Sequence, residues 1–277
     1  MTRSFHFFVA LAAATVITAS ASAAAWTSEK GHGQLILTSS WFQTGKGWDK
    51  EGKMQPFGYN GQFRKIDFNP YLELGVAKGT SILINAFVPN LRYGNDYGSS
   101  RSFGMGDMET GIRRRLTSAN SRTVVSVQGL VAFPVYKESR NPPPGNNQVD
   151  FEPRILMGRG YQLERGSIFW DAEAALRLRT GAPADQVRLD GTLGANLNRR
   201  VMVMGQVFGI VGLRNGEPFR VGTNPNVQSD FDLGKVQTSA VFRLTGPFRV
   251  QTAVFQTFTG RNTGHARGAL ISLWYGF

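Results

Sequence analysis

The sequence predicts an all-β protein: a transmembrane antiparallel meander β-barrel of the bacterial outer-membrane type, with about twelve strands. Three observations support this fold class. The amino-terminal residues have the pattern of an export signal, strand-length segments recur along the chain with alternating long and short connections, and the last strand alternates large apolar residues up to a terminal aromatic residue.

The amino-terminal pattern is that of a signal peptide. Arg3 precedes an apolar run from Phe5 to Ile17, and small residues follow up to Ala25. The run is shorter than the about 20 apolar residues that a membrane-spanning helix needs. We therefore expect residues 1–25 to be a signal peptide and residues 26–277 to form the barrel, in the outer membrane of a Gram-negative cell.

Composition narrows the class of protein further. There is no cysteine, so the chain has neither a disulfide framework nor a lipid-modified cysteine. The formal net charge of +12 falls to +11 once Arg3 is removed with the signal peptide. In an exported protein we expect anionic outer-membrane lipid and lipopolysaccharide to balance this charge, rather than nucleic acid.

Segments of strand length follow one another along the chain. Twelve are predicted, at His32–Phe42, Ile66–Ala77, Ser81–Arg92, Gly106–Leu116, Thr123–Val135, Val149–Tyr161, Ser167–Arg179, Gln186–Leu197, Val201–Leu213, Leu233–Leu244, Phe248–Thr259 and His265–Phe277. Mostly long connections follow the odd-numbered segments, and short ones follow the even-numbered segments. A barrel with both chain ends in the periplasm has this arrangement, with its long loops outside the cell.

The two faces of each strand follow from the alternation of side chains. In Ser167–Arg179 one row is apolar from Ile168 to Leu178 and is expected to face lipid, while the other row carries charges. Val201–Leu213 differs, because its inner row from Met202 to Ile210 is apolar as well. That row has three interpretations: packing against an inward loop, an apolar stretch of lumen for a hydrophobic solute, or a different register.

The inner rows carry both signs of charge. The candidate lumen or constriction residues are Asp107, Glu109, Arg113, Asp150, Glu152, Arg154, Asp171, Glu173, Arg177, Arg188, Asp190 and Arg243. A turn centred near Leu163 would place Arg154 opposite Glu173 and Asp150 opposite Arg177. Such pairs can serve as a stabilising polar network, or as a channel constriction that sorts solutes by charge.

The carboxyl-terminal strand alternates large apolar residues. Leu273, Tyr275 and Phe277 lie on one face of it. This pattern resembles the carboxyl-terminal assembly signal of bacterial outer-membrane proteins. The resemblance implies that the barrel-assembly machinery is a partner of this strand.

Two further stretches resemble known outer-membrane families. The segment Phe68–Pro89, followed by the Gly-x-Gly-Asp motif of Gly104, Gly106 and Asp107, resembles barrels of the MetA-pathway of phenol degradation family, which are transporter-like. Ala25–Gln34 is similar to the mature start of XagA-type barrels, which accompany exopolysaccharide loci. The resemblance implies an outer-membrane barrel and no catalytic motif, and it leaves the solute open.

Two function classes are therefore expected. The first is a channel or facilitator for small solutes, including hydrophobic or aromatic ones. The alternative is a non-enzymatic accessory of exopolysaccharide secretion, biofilm formation or adhesion. An enzyme is not expected, because His32 and His265 fall at opposite ends of the barrel and no spacing of His, Cys or carboxylates suits a transition metal. No cofactor is expected either.

Overall fold

In the computed structural model, which describes residues 25–136, 142–217 and 230–277, the chain forms seventeen β-strands and one 3-10 turn at Gly58–Asn60. The strands are β1 Gly33–Thr44, β2 Lys46–Trp48, β3 Met54–Pro56, β4 Gln62–Ala77, β5 Thr80–Ala86, β6 Val88–Asn95, β7 Gly98–Phe103, β8 Asp107–Arg115, β9 Thr123–Pro134, β10 Asp150–Gln162, β11 Ser167–Arg179, β12 Gln186–Asn196, β13 Val201–Gly212, β14 Asp232–Arg243, β15 Phe248–Arg261, β16 Thr263–Gly264 and β17 Arg267–Gly276. The predicted signal peptide lies, up to residue 24, outside the described residues. Within those residues, no helix is long and apolar enough to cross a bilayer.

The main sheet is closed on itself. Strands that follow one another along the chain pair antiparallel, and β1 pairs with β17 on one side and with β4 on the other. Since β5 and β6 both pair with β4 and together form one barrel strand, the barrel has twelve strands. Closure gives the backbone N–H and C=O groups the partners that lipid cannot supply. The predicted fold class is confirmed.

The two ends of the barrel differ in their connections. At one end, which we call the turn end, short connections join β4 to β5, β8 to β9, β10 to β11, β12 to β13 and β14 to β15. Gly33 and Phe277 also meet there, through backbone hydrogen bonds of 2.8 and 3.0 Å. The opposite end, the loop end, carries the longer connections, in the alternation that the sequence predicted.

Four short strands were missed by the sequence prediction. β2, β3 and β16 form a separate three-stranded sheet at the loop end. β7 pairs with β6 alone and extends a hairpin beyond the barrel. Strands of two or three residues are too short to show an alternation of polar and apolar residues, and β7 has a single apolar side chain, that of Phe103, at its end. Periodicity therefore finds none of the four.

The inward and outward rows agree with the predicted ones. On β11, Leu176 and Leu178 are 36% and 42% exposed on the outer face, whereas Asp171 and Arg177 are buried inside the barrel. Outward apolar side chains recur on every long strand, as expected of a surface that lipid covers.

The predicted register of β10 against β11 is wrong by two residues. Arg154 lies opposite Ala175, and Asp150 lies opposite Arg179. The turn closes through a hydrogen bond of 3.2 Å from the Leu163 N–H to the Gly166 carbonyl, so its centre lies beyond Leu163. A shift of two residues preserves the face of every side chain, and the charged rows therefore stay inside.

Candidate functional site: the barrel lumen

A continuous network of ion pairs lines one side of the lumen, on β8 to β12; we call it the charged wall. Arg154 lies at one of its centres. Its guanidinium is 2.7 Å from the Glu152 carboxylate and 2.7 Å from that of Asp190, and it also contacts Glu173. The side chains of these four residues are at most 9% exposed.

Arg177 forms the second centre of the charged wall. Its guanidinium nitrogens lie 2.5 Å from Glu109, 2.6 Å from Glu152 and 3.7 Å from Asp150. Arg188 reaches the same Glu152 carboxylate at 3.3 Å. Glu152 thus contacts three guanidinium groups from three strands, counting that of Arg154. Buried charges need such partners, because each loses its hydration inside the barrel.

Arg113 continues the charged wall towards β4. It donates from Nη1 to Glu73 at 3.2 Å and from Nε to Gln128 at 2.9 Å. Glu73 in turn accepts a hydrogen bond of 3.1 Å from the Tyr71 hydroxyl. Glu73 and Tyr71 were not among the twelve candidates, although the inner row of the second predicted segment contains both.

The remaining predicted site residues lie in different places. Asp171 is buried on the same wall. Asp107 lies at its loop end, where its carboxylate accepts a hydrogen bond of 3.2 Å from the Asn146 N–H. Arg243 is exposed at the turn end and lies outside the network. The structure therefore brings together all the candidates except Arg243 on one side of the lumen.

The opposite side of the lumen is formed by inward side chains of β13, β14, β15, β17 and β1. Apolar side chains alternate there with uncharged polar ones such as Gln206 and Gln237. We call it the apolar wall after the former. Met204 of β13 belongs to a buried cluster that spans the bore. Its other members are Ile36, Tyr71, Leu83, Val241 and Trp274. Because Leu83 is on β5, on the far side of the barrel from β13, this cluster closes the lumen across its width. We call it the trans-lumen cluster.

The apolar inner row of β13 can now be interpreted. Its side chains do face inward, so the predicted register is correct. Ile210 packs against Phe231, which belongs to the connection before β14, and this part of the row packs against a loop. Phe208 lies beneath the Lys235 ammonium, which is 4.1 Å from the ring centroid. The row therefore serves mainly as internal packing and as one wall of the bore.

The residues before β1 enter the lumen from the turn end. Ala25 is fully buried, and its carbonyl accepts a hydrogen bond of 2.6 Å from the Ser126 hydroxyl. The carbonyl of Trp26 accepts a hydrogen bond of 3.1 Å from Arg113. Ser28 donates its backbone N–H to Ser81 at 3.0 Å and to Glu73 at 3.2 Å. This N-terminal segment, residues 25–29, is thereby anchored to the charged wall, and its Trp26 and Ser28 contacts stay when the predicted signal peptide is removed after Ala25.

Two glycines make room for the N-terminal segment. A Cβ atom on Gly158 would lie 2.5 Å from the Trp26 ring, and one on Gly75 would lie 2.0 Å from the Glu29 carbonyl oxygen. Any larger residue at either position would displace the segment. Sequence reasoning missed this arrangement because residues 25–32 show no strand periodicity, and only the two inward glycines hint at a close approach.

Below the trans-lumen cluster, the turn end opens into a cavity of about 680 Å³, which we call the vestibule. Met202 and Val241 line its inner part. Its rim is strongly basic, with Arg165, Arg199, Arg200, Arg243 and Arg249 against the single acid Glu164. Such a rim raises the local concentration of anions.

The loop end is covered by a second apolar cluster. Phe57, from the connection that contains β2 and β3, packs with Phe42, Phe63 and Phe255 inside the mouth of the barrel. The Phe57 N–H donates to the Gly45 carbonyl at 2.8 Å, which holds this loop over the bore. His265 lies next to Trp48 in the same cover, at a ring distance of 5.4 Å. His32 lies at the turn end, 3.3 Å from the Phe277 carbonyl, so the two histidines share no site.

The Gly-x-Gly-Asp motif positions another loop of the mouth. A Cβ atom on Gly106 would lie 2.8 Å from the Pro144 carbonyl, and one on Gly145 would lie 2.4 Å from the Asp107 carboxylate. The motif therefore lets residues 142–146 lie against the start of β8. Asn141, the first residue of the proline-rich stretch, is outside the described residues.

Comparison with known proteins gives a fold and not a family. No family profile matches the sequence, and no curated protein matches it significantly. Among solved structures, the chain is similar to an outer-membrane channel from Pseudomonas putida F1, with a TM-score of 0.68 and 11% identity over 91% of this chain and 97% of that one. It is also similar to the NanC porin, with a TM-score of 0.52 and 8% identity over 87% and 98% of the two chains.

A third solved structure, the KdgM porin, has a TM-score of 0.50 and 7% identity over 88% of this chain and 99% of that one. At such identities the likeness concerns the fold alone. This chain therefore has the fold of outer-membrane barrels. The sequence resemblance to the MetA-pathway and XagA-type families stays a prediction.

Proposed function

We propose that the protein is an outer-membrane channel or facilitator for small solutes, and that its permeants combine an apolar ring with a polar or anionic group. In this proposal a signal peptide exports the chain, the turn end faces the periplasm and the loop end faces the outside. The two-sided lumen carries the proposal: a charged wall on β8 to β12 faces an apolar wall on β13 to β17 and β1. Channels select solutes by the groups that line their pores.

The size of the barrel supports a small permeant. A barrel of twelve strands lies between the eight-stranded barrels, which side chains fill, and the open porins of 16 strands. The basic rim of the vestibule supports an anionic group on the permeant, because it would attract anions at the periplasmic mouth. The structures named above as channel and porins support transport, although they are similar in fold only.

The conformation described here is closed. The loop-end cover, the trans-lumen cluster and the N-terminal segment follow one another along the bore, and the charged side chains between them are buried. Passage therefore requires that these groups move. A facilitator that opens for its permeant fits this arrangement better than an open pore does.

Permeation into vesicles tests the proposal. Purified protein is reconstituted into liposomes, and uptake is compared for benzoate, for benzylammonium and for glucose. We expect uptake in the order benzoate, benzylammonium, glucose, because only benzoate matches both the apolar wall and the basic rim. Equal uptake in protein-free liposomes would contradict the proposal, and the accessory role in exopolysaccharide secretion or adhesion would then be the better hypothesis.

A charge reversal on the charged wall tests the path of the solute. Arg154→Glu places a fourth acid beside Glu152, Glu173 and Asp190, so ion selectivity in planar bilayers should shift towards cations and assembly should weaken. Adding Glu173→Arg restores an opposite pair and should restore assembly. Conduction with unchanged selectivity would show that solutes do not pass this cluster.

A further inference from the structure

We propose that a row of arginines on the outer surface of the barrel binds the phosphate groups of outer-leaflet lipopolysaccharide. This row, which we call the arginine belt, crosses β17, β1, β4, β6 and β7 near the loop end. Its members, in lateral order, are Arg267, Gln43, Arg64, Arg92 and Arg101. Each lies directly opposite the next in the register of the sheet, and all five side chains are exposed.

The arginine belt concentrates like charges. Directly opposed residues in an antiparallel sheet have Cβ atoms about 4.5–5.5 Å apart, and like charges at that distance destabilise the pair. Arg92 has an arginine on both sides, namely Arg64 and Arg101. The sheet therefore carries a local repulsion that an external anion would relieve.

The described part of the chain supplies no counter-ion. The ion pairs among described residues include none of the four arginines of the belt. Arg101 donates from Nε to the Asn90 side-chain oxygen at 3.1 Å, which is a neutral partner. Asp96, the carboxylate nearest along the chain to Arg92, accepts hydrogen bonds of 3.0 and 3.2 Å from the Asn60 amide instead.

The β17 end of the belt lies at a height that suits lipid headgroups. The next outward row towards the turn end is Ala269, Trp41, Ile66, Asn90 and Phe103; it is apolar apart from Asn90, and Trp41, Ile66 and Phe103 are 44%, 48% and 64% exposed. Along β17, Tyr275, which packs with Phe248 and Phe277 at the turn end, lies eight residues beyond Arg267. At about 3.3 Å per residue and a tilt of about 40°, this separation is about 20 Å, close to the height of the apolar band of a barrel. Arg267, at the β17 end of the belt, therefore lies at one border of that band.

The chemistry of the belt selects phosphate. Guanidinium groups bind phosphate oxygens through two parallel hydrogen bonds, and a row of them can hold more than one phosphate. In the orientation proposed above, the loop end faces the leaflet whose main lipid is a phosphorylated glycolipid. The inference rests on that orientation and not on conduction. Acyl chains of the bound lipid would lie on the apolar row beneath the belt.

Titration with lipid A tests the inference. The full protein is purified in a zwitterionic detergent with EDTA, which removes bridging divalent cations. The midpoint temperature of its unfolding is then measured at increasing concentrations of bisphosphorylated lipid A. The belt variant R64Q/R92Q/R101Q should bind about 100-fold more weakly, at about fivefold for each arginine removed. The control K30Q/K78Q/R122Q loses the same charge from exposed turn-end positions outside the vestibule rim and should bind like the wild type.

Two further arms identify the ligand. Dephosphorylated lipid A should raise the unfolding midpoint of the wild type far less than lipid A does, and inorganic phosphate at the same concentration should not compete. Folding of the belt variant is judged by heat-modifiable gel mobility. If that variant does not fold, R64K/R92K/R101K replaces it. This variant keeps the charge but removes the paired hydrogen bonds, so it should bind lipid A several-fold more weakly than the wild type. Equal binding of the belt variant and the wild type, equal weakening in the control, or equal binding of dephosphorylated lipid A would overturn the inference. Because no readout depends on conduction, a failed permeation test would leave this result unaffected.

Discussion

Glu152 is the residue on which the charged wall depends most. Its carboxylate contacts Arg154, Arg177 and Arg188, and the side chain is 1% exposed. Arg154 and Arg177 also contact other acids, whereas the only ion pair of Arg188 among the described residues is with Glu152. Loss of this carboxylate would therefore leave a guanidinium in the lumen without an ion-pair partner.

We predict that Glu152→Gln strongly destabilises the barrel. Removing one partner of a buried ion pair costs about 3–5 kcal/mol, because the other charge stays buried without compensation. The measurement is the midpoint of urea unfolding in lipid vesicles. Glu164→Gln, at an exposed position of the turn between β10 and β11, is the matched control and should change stability by less than about 0.5 kcal/mol.

A double variant tests the cause. Arg188→Gln in the Glu152→Gln background removes the charge that has lost its partner, so part of the lost stability should return. If the double variant is no more stable than Glu152→Gln alone, the destabilisation comes from lost packing and not from the unpaired guanidinium.

At the scale of the strand, the outward rows define the surface that meets lipid. Leu193 lies in the outward row of β12 and Leu197 four residues later in the turn after it, and they are 64% and 56% exposed. Leu193 is near the middle of the strand, whereas Leu197 lies beyond its turn end. Substitutions of these two leucines therefore compare two depths in the membrane, starting from the same type of residue.

We predict that Leu193→Arg is much more damaging than Leu197→Arg. An outward arginine costs about 2–4 kcal/mol near the bilayer midplane and about 0–1 kcal/mol near the interface. The measurement is again the urea unfolding midpoint in vesicles. Equal effects at the two positions would show that the depth of β12 in the membrane has been assigned incorrectly.

The closing strand offers a second test at this scale. Phe277 joins β17 to Gly33 through paired backbone hydrogen bonds, and its ring stacks on Tyr275 at 5.7 Å. The Phe248 ring lies 5.2 Å from that of Tyr275, tilted by 33°, and Phe248 is about as exposed as Phe277, at 40% against 42%. The two phenylalanines thus belong to one aromatic group, but only Phe277 lies in the predicted assembly signal.

We expect Phe277→Ala to slow barrel assembly while leaving export intact. The measurement is the fraction of heat-modifiable, folded protein in outer membranes shortly after induction, with export followed by removal of the signal peptide. Phe248→Ala should assemble at the wild-type rate if the assembly signal lies in the terminal strand. Equal delays in the two variants would assign the effect to the aromatic group as a whole.

The sequence could predict the strands but not everything that fills the barrel. β11 was predicted with its observed bounds because thirteen residues alternate without interruption. The same alternation identified the charged rows, since within the part of a strand that lipid covers a charge is tolerated only on the inner face. The register of β10 against β11 was off by two residues, because it depends on how the chain turns at Leu163 to Gly166 and not on periodicity.

Two parts of the candidate site could not be predicted from the periodicity of the sequence. The trans-lumen cluster joins Met204 to Leu83, which lie on opposite sides of the barrel and are far apart in the sequence. The N-terminal segment adopts no regular structure, and its place depends on hydrogen bonds to Ser126 and Arg113. Such contacts follow from closure of the whole sheet and appear in no local pattern.

At the scale of the whole molecule, the barrel is closed by parts that differ in how easily they can move. The trans-lumen cluster is built from side chains of barrel strands that hydrogen bonds hold on both sides. The N-terminal segment lies outside the sheet. It is held by hydrogen bonds to inward side chains and by packing of Ala25 and Trp26 with Val124 and Leu156. Because it lacks the ladder of backbone hydrogen bonds that fixes a barrel strand, this segment is the part expected to move first.

We predict that releasing the N-terminal segment raises conductance. Trp26→Gly removes the ring that fills the turn end, and Gly158→Leu displaces the same ring without changing a residue near the predicted signal-peptide cleavage site. Both variants should show larger or more frequent single-channel openings in planar bilayers than the wild type. Trp41→Ala, at an exposed position on the outer face, should conduct like the wild type. If the two lumen variants conduct no better than the wild type, the trans-lumen cluster limits the flow instead. A smaller residue at Met204 should then raise conductance, because that side chain reaches across the bore from the apolar wall.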